Sequence, residues 1–325
     1  GEAGFRLEGM NNNRRYSWHQ RRLPARLLVL GLLFLLSAAG AAAQDFGPGS
    51  VFGNTPEFGI SARAEIGILK VLSHRIQLGE DGGVRDTGEP ATLEPFDYVF
   101  YGGQDVLFPY DRFQIDLRAR RNTFTLLYQP LSLSTQTVIP DGREVVANGV
   151  VFASNADNSA GLNLLYGFDF WRFSWRYGLL RNRQVDLAAG LSLQIRNASI
   201  RFESADGSQL AVSQNLGPVP AIKLVGGLNL DRRNRLEFEA DGFYATSAFF
   251  NGASFEFEGS ILDTSLTWVR RSAGFDGLVT LRFIGGGARG TDQTAVFWTE
   301  GSSVGSGFTD NFLSSLALSV GARLR

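Results

Sequence analysis

Two glycine-bearing motifs and one histidine are the residues of this chain whose types and spacing bear on catalysis. Gly285-Gly286-Gly287-Ala288-Arg289-Gly290 satisfies G-x-G-x-x-G, the turn that cradles phosphates in dinucleotide folds. That chemistry needs a helix whose N-terminus receives the pyrophosphate. Thr291-Asp292-Gln293-Thr294 follows without helical periodicity, so the run reads as a flexible outer loop. Gly301-Ser302-Ser303-Val304-Gly305 satisfies G-x-S-x-G, but a nucleophile elbow requires a later histidine as base, and none follows. His74 is the single histidine beyond Ala43. Ser73 adjoins it, yet neighbours on a strand point to opposite faces, so the two make no dyad. His74 reads as a strand-end residue at a membrane interface. With no Cys and one such His, a zinc site is excluded, and no cofactor is expected. Glu80-Asp81-Gly82-Gly83 with Asp86 has the composition of a calcium loop, and equally of a solvated turn.

Sixteen charged residues fall on the polar face of alternating segments: Arg63, Glu65, Arg112, Asp116, Arg118, Arg172, Arg176, Asp186, Arg196, Lys223, Glu237, Glu239, Asp241, Asp276, Arg282 and Arg323. In a narrow lumen such mixed charges would pair and bind water, since each is costly if buried alone. They imply either a salt-bridged plug that stiffens a barrel or a narrow path for ions and solutes. Paired carboxylates also activate water, which brings Asp116, Glu237, Glu239 and Asp241 into view, but no histidine partner lies near them in sequence.

The elements that would position these residues have strand period. In Asp111 to Arg121, Phe113, Ile115, Leu117 and Ala119 oppose Arg112, Gln114, Asp116, Arg118 and Arg120. Val185 to Arg196, Asn234 to Tyr244 and the last segment, from Phe312 to Leu324, alternate in the same way. Four connections are tight and Arg-rich: Arg120-Arg121-Asn122, Arg181-Asn182-Arg183, Asp231 to Asn234, and Arg270 to Gly274. Five others are mostly longer: Gly79 to Tyr110, Pro140 to Ala160, Ser204 to Gly217, Phe249 to Ala253, and Gly285 to Asp310. Ten strands are expected, at about 58–78, 111–121, 122–139, 161–180, 184–203, 219–230, 234–247, 255–270, 274–284 and 311–325. The apolar set changes phase near Pro130 and near Phe170-Trp171, where a bulge would restore the facing. Lys70 and His74 fall on the apolar side of the first strand, and Lys70 has no ready explanation there.

Upstream, Arg14, Arg15, Arg21, Arg22 and Arg26 lead into the apolar block Leu27 to Leu36, then the small residues Ser37 to Ala43. A basic region, a short apolar core and Ala41-Ala42-Ala43 are what signal peptidase reads, so cleavage is expected between Ala43 and Gln44. The apolar core falls short of the ~20 residues that a spanning helix needs. Residues 1–43 are thus assigned to upstream sequence and signal, 44–57 to a short periplasmic segment and 58–325 to one barrel domain. The net charge is −1, which gives no ground for a nucleic-acid partner.

On this alternation, the turn asymmetry and the richness in Gly and Phe (39 and 26 residues), the chain resembles the bacterial outer-membrane β-barrel superfamily over nearly everything after Ala43. The resemblance implies an all-β, ten-stranded antiparallel up-and-down transmembrane barrel with periplasmic short turns and both termini in the periplasm. It also implies contact with outer-membrane lipids and lipopolysaccharide, delivery by the barrel-assembly machinery, and ligand recognition by the loops 79–110 and 285–310. Such barrels usually end in an aromatic residue; this sequence ends in Arg325. Trp171, Trp175, Tyr177, Tyr244, Phe255, Phe257 and Trp268 would be interface anchors. The function expected is non-enzymatic, structural or surface-exposed, with a narrow pore as a variant. The alternatives are an outer-membrane enzyme acting on lipid A or peptides through His74, and a secreted soluble barrel holding an apolar ligand.

Overall fold

The computed structural model describes residues 58–87, 93–153, 161–246, 257–290 and 308–325, excluding the side chains of 215–217 and 257. The export signal, its cleavage site, the segment 44–57, Phe255 and the G-x-S-x-G run lie outside the described residues. Fifteen strands are present: β1 (Phe58–Leu78), β2 (Gly83–Asp86), β3 (Phe96–Asp97), β4 (Leu107–Ala119), β5 (Asn122–Gln129), β6 (Ser132–Val138), β7 (Arg143–Ala147), β8 (Val150–Ala153), β9 (Gly161–Arg181), β10 (Val185–Ser204), β11 (Leu210–Asn229), β12 (Asn234–Thr246), β13 (Phe257–Arg271), β14 (Phe275–Gly290) and β15 (Thr309–Leu324). With β5 and β6 as one stave interrupted at Pro130, ten antiparallel staves close into a barrel, β15 pairing back onto β1. Strands β2, β7 and β8 form a separate sheet in the long connections, and β3 pairs with β1. There is no helix among the described residues.

Each stave has one face that no soluble protein would leave bare. Ile66, Ile68 and Leu72 on β1, Phe173 and Trp175 on β9, Leu191 and Ile195 on β10, Leu266 and Trp268 on β13, and Leu318 and Val320 on β15 all point outward and are exposed. An apolar belt carried by every stave exceeds by far the patches of soluble monomers. Hydrocarbon is the solvent that fits it, and the closed ladder leaves no unpaired edge within it. This is the architecture of a transmembrane β-barrel.

The staves are longer than a bilayer requires. A tilted transmembrane strand takes ~9–11 residues, whereas β1 and β9 have 21 each. The surplus lies at the long-loop end, and there the faces exchange character. On β10 the outward residues run Leu191, Leu193, Ile195, then Asn197, Ser199, Arg201. The inward ones run Ser192, Gln194, Arg196, then Ala198, Ile200, Phe202. On β9 the inward set passes from Ser174 and Arg172 to Phe170, Tyr166, Leu164 and Leu162. Parity is kept while the solvent outside changes from lipid to water.

This corrects the expected bulges. The β5–β9 and β6–β9 pairings share one register across Pro130, and β9 runs without a shift through Phe170 and Trp171. The phase change in the sequence is the exchange of apolar residues between faces. Real irregularities lie between Val71 and Ser73 and between Leu187 and Ala188. The first moves the inward set of β1 from Leu69 and Val71 to His74, Ile76 and Leu78. Lys70 precedes that irregularity and faces outward with Ile66 and Ile68, at the top of the belt, where it pairs with Asp105, its stem on the apolar surface and its ammonium at the water.

Two expected loops are strand. The strand placed at 219–230 begins at Leu210, so the Ser204–Gly217 connection shrinks to a turn around Asp206. Ser204 Oγ (2.6 Å) and Ser208 N and Oγ (3.0 and 2.8 Å) donate to its carboxylate, holding it down to about 2. The strand placed at 274–284 continues through the glycine run to Gly290, with Gly286 paired to both Ile261 and Leu313. Flanking strands supply the hydrogen bonds, and glycine's local preference for turns is overridden.

The four short turns join β4–β5, β9–β10, β11–β12 and β13–β14 at the end that also holds Phe58 and Leu324. Gly274 closes the last of them at φ +90, with open space where a Cβ would go. Gly274→Ala therefore tests the backbone alone. It should cost about 1–2 kcal/mol, read as a lower urea midpoint of tryptophan fluorescence in vesicles.

Candidate functional site

All sixteen charged residues read from the sequence face the interior, in two tiers. In the central tier Asp263 of β13 accepts from Arg172 Nη1 at 2.7 Å and from Arg282 Nη1, and lies 3.7 Å from Arg112 Nη1. Asp241 accepts from Arg172 Nη1 and Lys223 Nζ, each at 2.9 Å, and from Ser192 Oγ at 2.5 Å. Glu239 takes Lys223, Arg282 Nη2 at 3.4 Å and Arg112 Nη2 at 3.5 Å. Glu65 lies 2.8 Å from Arg63 Nε and accepts from Ser319 Oγ at 2.9 Å. Arg63 in turn donates to Thr267 and Thr280 at 3.1 and 3.0 Å. Nine charges from seven staves, all nearly or fully buried, make one connected network.

The second tier lies at the short-turn end. Arg323 donates both Nη groups to Glu237 at 2.9–3.0 Å and Nη2 to Asp276 at 3.0 Å. Arg235 bridges Glu237 at 3.0 Å and Asp186 at 2.5 Å. Its guanidinium occupies the space where Gly227 would carry a Cβ, 1.8 Å from Nη2. Arg176 lies 3.7 Å from Asp116 and donates to Thr125 at 3.1 Å, while Arg118 faces inward beside them. Arg196 marks the upper limit of the polar layer, its Cζ 5.8 Å from the Phe168 ring, within cation–π range.

Some members were not singled out from sequence: Asp263, Arg235, and the amides Gln129 and Gln194, whose Oε1 atoms accept from Arg112 at 3.1 Å and from Arg172 at 2.6 and 3.1 Å. The signal was present for Asp263. Leu262, Leu266 and Trp268 set the outward parity of β13, which turns Asp263 inward.

Above the charges the lumen is filled by an apolar core. Leu69, Val71, Tyr110, Leu133, Tyr166 and Phe202 are among its buried members, and Val84, Val145 and Phe152 of the small sheet join the same cluster. Residues 93–106 fold into this mouth, burying Phe96, Tyr98 and Gln104. His74 belongs to this core and not to a strand end at the membrane interface: it is fully buried. Its Nδ1 lies 2.7 Å from Gln104 Oε1, its ring stacks on Tyr98 at 4.1 Å and meets Tyr166 edge-on at 4.4 Å. Ser73 points outward, so no Ser–His pair forms. Asp116, Glu237, Glu239 and Asp241 have arginine, lysine and hydroxyl partners, and His74 is not among their contacts. Among the described residues no group of three or more His, Cys, Asp or Glu is arranged to hold a metal ion.

The aromatics divide similarly. Trp175, Tyr177 and Trp268 are outward near the short-turn end and Tyr244 near the other. Trp171 lies mid-strand against Tyr128, ring centroids 4.6 Å apart.

Asp263 touches three arginines that have no water to fall back on. Asp263→Ala should destabilise the barrel by about 3–5 kcal/mol, as when one partner of a buried ion pair is removed. Leu266→Ala, on the lipid-facing side of the same strand, should cost less in the same urea titration.

No family model and no curated protein matches the chain. Among solved structures it is similar to the outer membrane protease OmpT of Escherichia coli, at 10% identity, covering 83% of this chain and 99% of that one with a TM-score of 0.44. It is similar to a FadL homologue of Pseudomonas aeruginosa at 9% identity, covering 82% and 90%, TM-score 0.32. The β domain of the Bordetella autotransporter Brka follows at 13%, covering 83% and 99%, TM-score 0.26. At such identities the activities in those names stay with those proteins.

Proposed function

We propose that this chain is a non-enzymatic outer-membrane protein whose sealed barrel is a rigid mount for the structure at its long-loop end. The carrying observation is the filled lumen. Side chains from every stave, among them Glu65, Arg112, Thr125, Arg172, Gln194, Lys223, Asp241, Asp263, Arg282 and Ser319, are 5% exposed or less. A pore needs a wetted path, and here a charge-paired layer is stacked beneath an apolar one.

The short turns face the periplasm in this reading and the long connections face outward. Outer-membrane lipids and lipopolysaccharide surround the belt, and the barrel-assembly machinery inserts it. Recognition is assigned to the segments 79–110 and 285–310 and to the β2–β7–β8 sheet, at the end where the long connections lie. A histidine packed between two tyrosines and bonded to Gln104 is structural, with no access for a lipid or peptide bond.

Fractionation should recover the full chain from membranes only with detergent. In planar bilayers it should give no discrete conductance steps. Sustained steps would sink the sealed-barrel reading and favour a solute path. His74→Ala should leave lipid A structure and surface proteolysis unchanged while lowering the urea midpoint. Loss of either activity would instead establish an enzyme.

A further inference from the structure

The formal net charge of −1 conceals a strong polarity along the barrel axis. The four short turns and the residues closing them hold Arg120, Arg121, Arg181, Arg183, Arg232, Arg233, Arg270 and Arg271 against one carboxylate, Asp231. That carboxylate is committed to its own turn. It accepts from Asn234 Nδ2 at 2.6 Å and from the Arg233 and Asn234 amides at 2.7 Å each, bonds that lower its pKa, with Asn234 first among them. Arg121, Arg181, Arg232 and Arg233 are exposed and show no carboxylate partner among the described residues. At the opposite end, the described part of 79–106 carries six carboxylates and one arginine, Arg85.

The height of these arginines identifies what they meet. On β13, Arg270 follows Trp268 on the outward face; on β9 the outward face closes with Tyr177, Leu179 and Leu180, and Arg181, in register with Asp186, turns toward the lumen mouth. The next position along a lipid-facing stripe, just past its aromatic residues, is headgroup depth. Guanidinium groups there meet phosphates with planar, bidentate geometry.

We propose that the short-turn rim is a binding site for anionic phospholipid headgroups of the leaflet it faces, with Arg121, Arg232, Arg233 and Arg270 as phosphate ligands. The inference rests on the membrane reading above and adds lipid selectivity to it. The rim spans all four turns, so several headgroups bind at once. Selectivity arises from charge, and it weakens as salt rises.

The test uses the full chain purified in a neutral detergent. It is titrated with palmitoyl-oleoyl-phosphatidylglycerol or with the phosphatidylcholine of the same chains, and retained lipid is counted by native mass spectrometry. Phosphatidylglycerol should be retained about tenfold better. Combined Arg121→Gln, Arg232→Gln, Arg233→Gln and Arg270→Gln should abolish that preference while the protein still migrates as a folded, heat-modifiable band. Arg270→Gln alone, a milder change, should remove part of it. Equal retention of both lipids by the native chain overturns the proposal, as does a preference intact in the fourfold variant. Displacement of the lipid by inorganic phosphate at equal concentration overturns the headgroup assignment. A chain that stays soluble without detergent refutes the membrane reading instead, so the two failures are distinguishable.

Discussion

Hydrocarbon surrounds one stretch of each stave and water the next, and every strand must satisfy both while keeping its parity. The consequence is an inversion inside the barrel. Where Leu191, Leu193 and Ile195 face lipid, Ser192 and Gln194 face the lumen. Where Asn197, Ser199 and Arg201 face water, Ala198, Ile200 and Phe202 face the lumen. Apolar residues are placed outside in the bilayer and inside above it, since only one face at a time is shielded from water. The upper part of this molecule is thus built like a soluble domain with a dry core, and the lower part like its inverse. The small β2–β7–β8 sheet fits that logic. It adds Val84, Val145 and Phe152 to the dry core at the level where water has replaced lipid.

The charged layer follows from the same constraint. Ten staves enclose little more space than eight, whose interiors side chains fill, so the inward residues of the bilayer-spanning part touch one another. They cannot be apolar throughout without making the two faces alike and the facing of each strand ambiguous. Charges of both signs specify the inward face, and once inside they must pair, because an isolated ion in so dry a place is costly. Asp263, Asp241 and Glu239 pair with Arg112, Arg172, Arg282 and Lys223 between them, while Gln129 and Gln194 accept further guanidinium protons. A buried network of this kind contributes specificity of fold more than net stability.

Strand number, turn asymmetry and the sixteen inward charges were legible because each depends on local alternation, which the sequence displays directly. What was not legible depends on which solvent lies outside. A shift of apolar residues from odd to even positions near Phe170 reads as a bulge if one solvent is assumed throughout. With two solvents it needs no bulge. Where a real one exists, at Leu72, the sequence shows nothing special, and its effect is to bring His74 inward beside Tyr98. The glycine run at 285–287 was hidden for another reason: its strand character comes from neighbours on both sides, Ile261 and Leu313 among them, and not from its own residues. Asp263 was overlooked although the parity of Leu262 and Leu266 determines its direction.

A filled interior also limits where recognition can reside. Substrate or solute would have to displace either arginine–carboxylate pairs or the Leu133, Tyr166 and Phe202 packing, and each such displacement strips partners from groups that have no water to replace them. The two ends of the barrel remain, and they differ in kind. At the long-loop end the chain supplies shape: a three-stranded sheet, a folded-in segment over residues 93–106, and an excess of carboxylates in the described part of 79–106. At the other end it supplies little shape, with turns of a few residues each, but a dense positive charge set against the apolar belt. Shape suits discrimination among partners, while charge at a bilayer surface suits anchorage, because headgroups are abundant, alike and fluid. The same barrel therefore divides its labour by solvent. In the proposed reading one rim is held by the membrane and the other is presented above it.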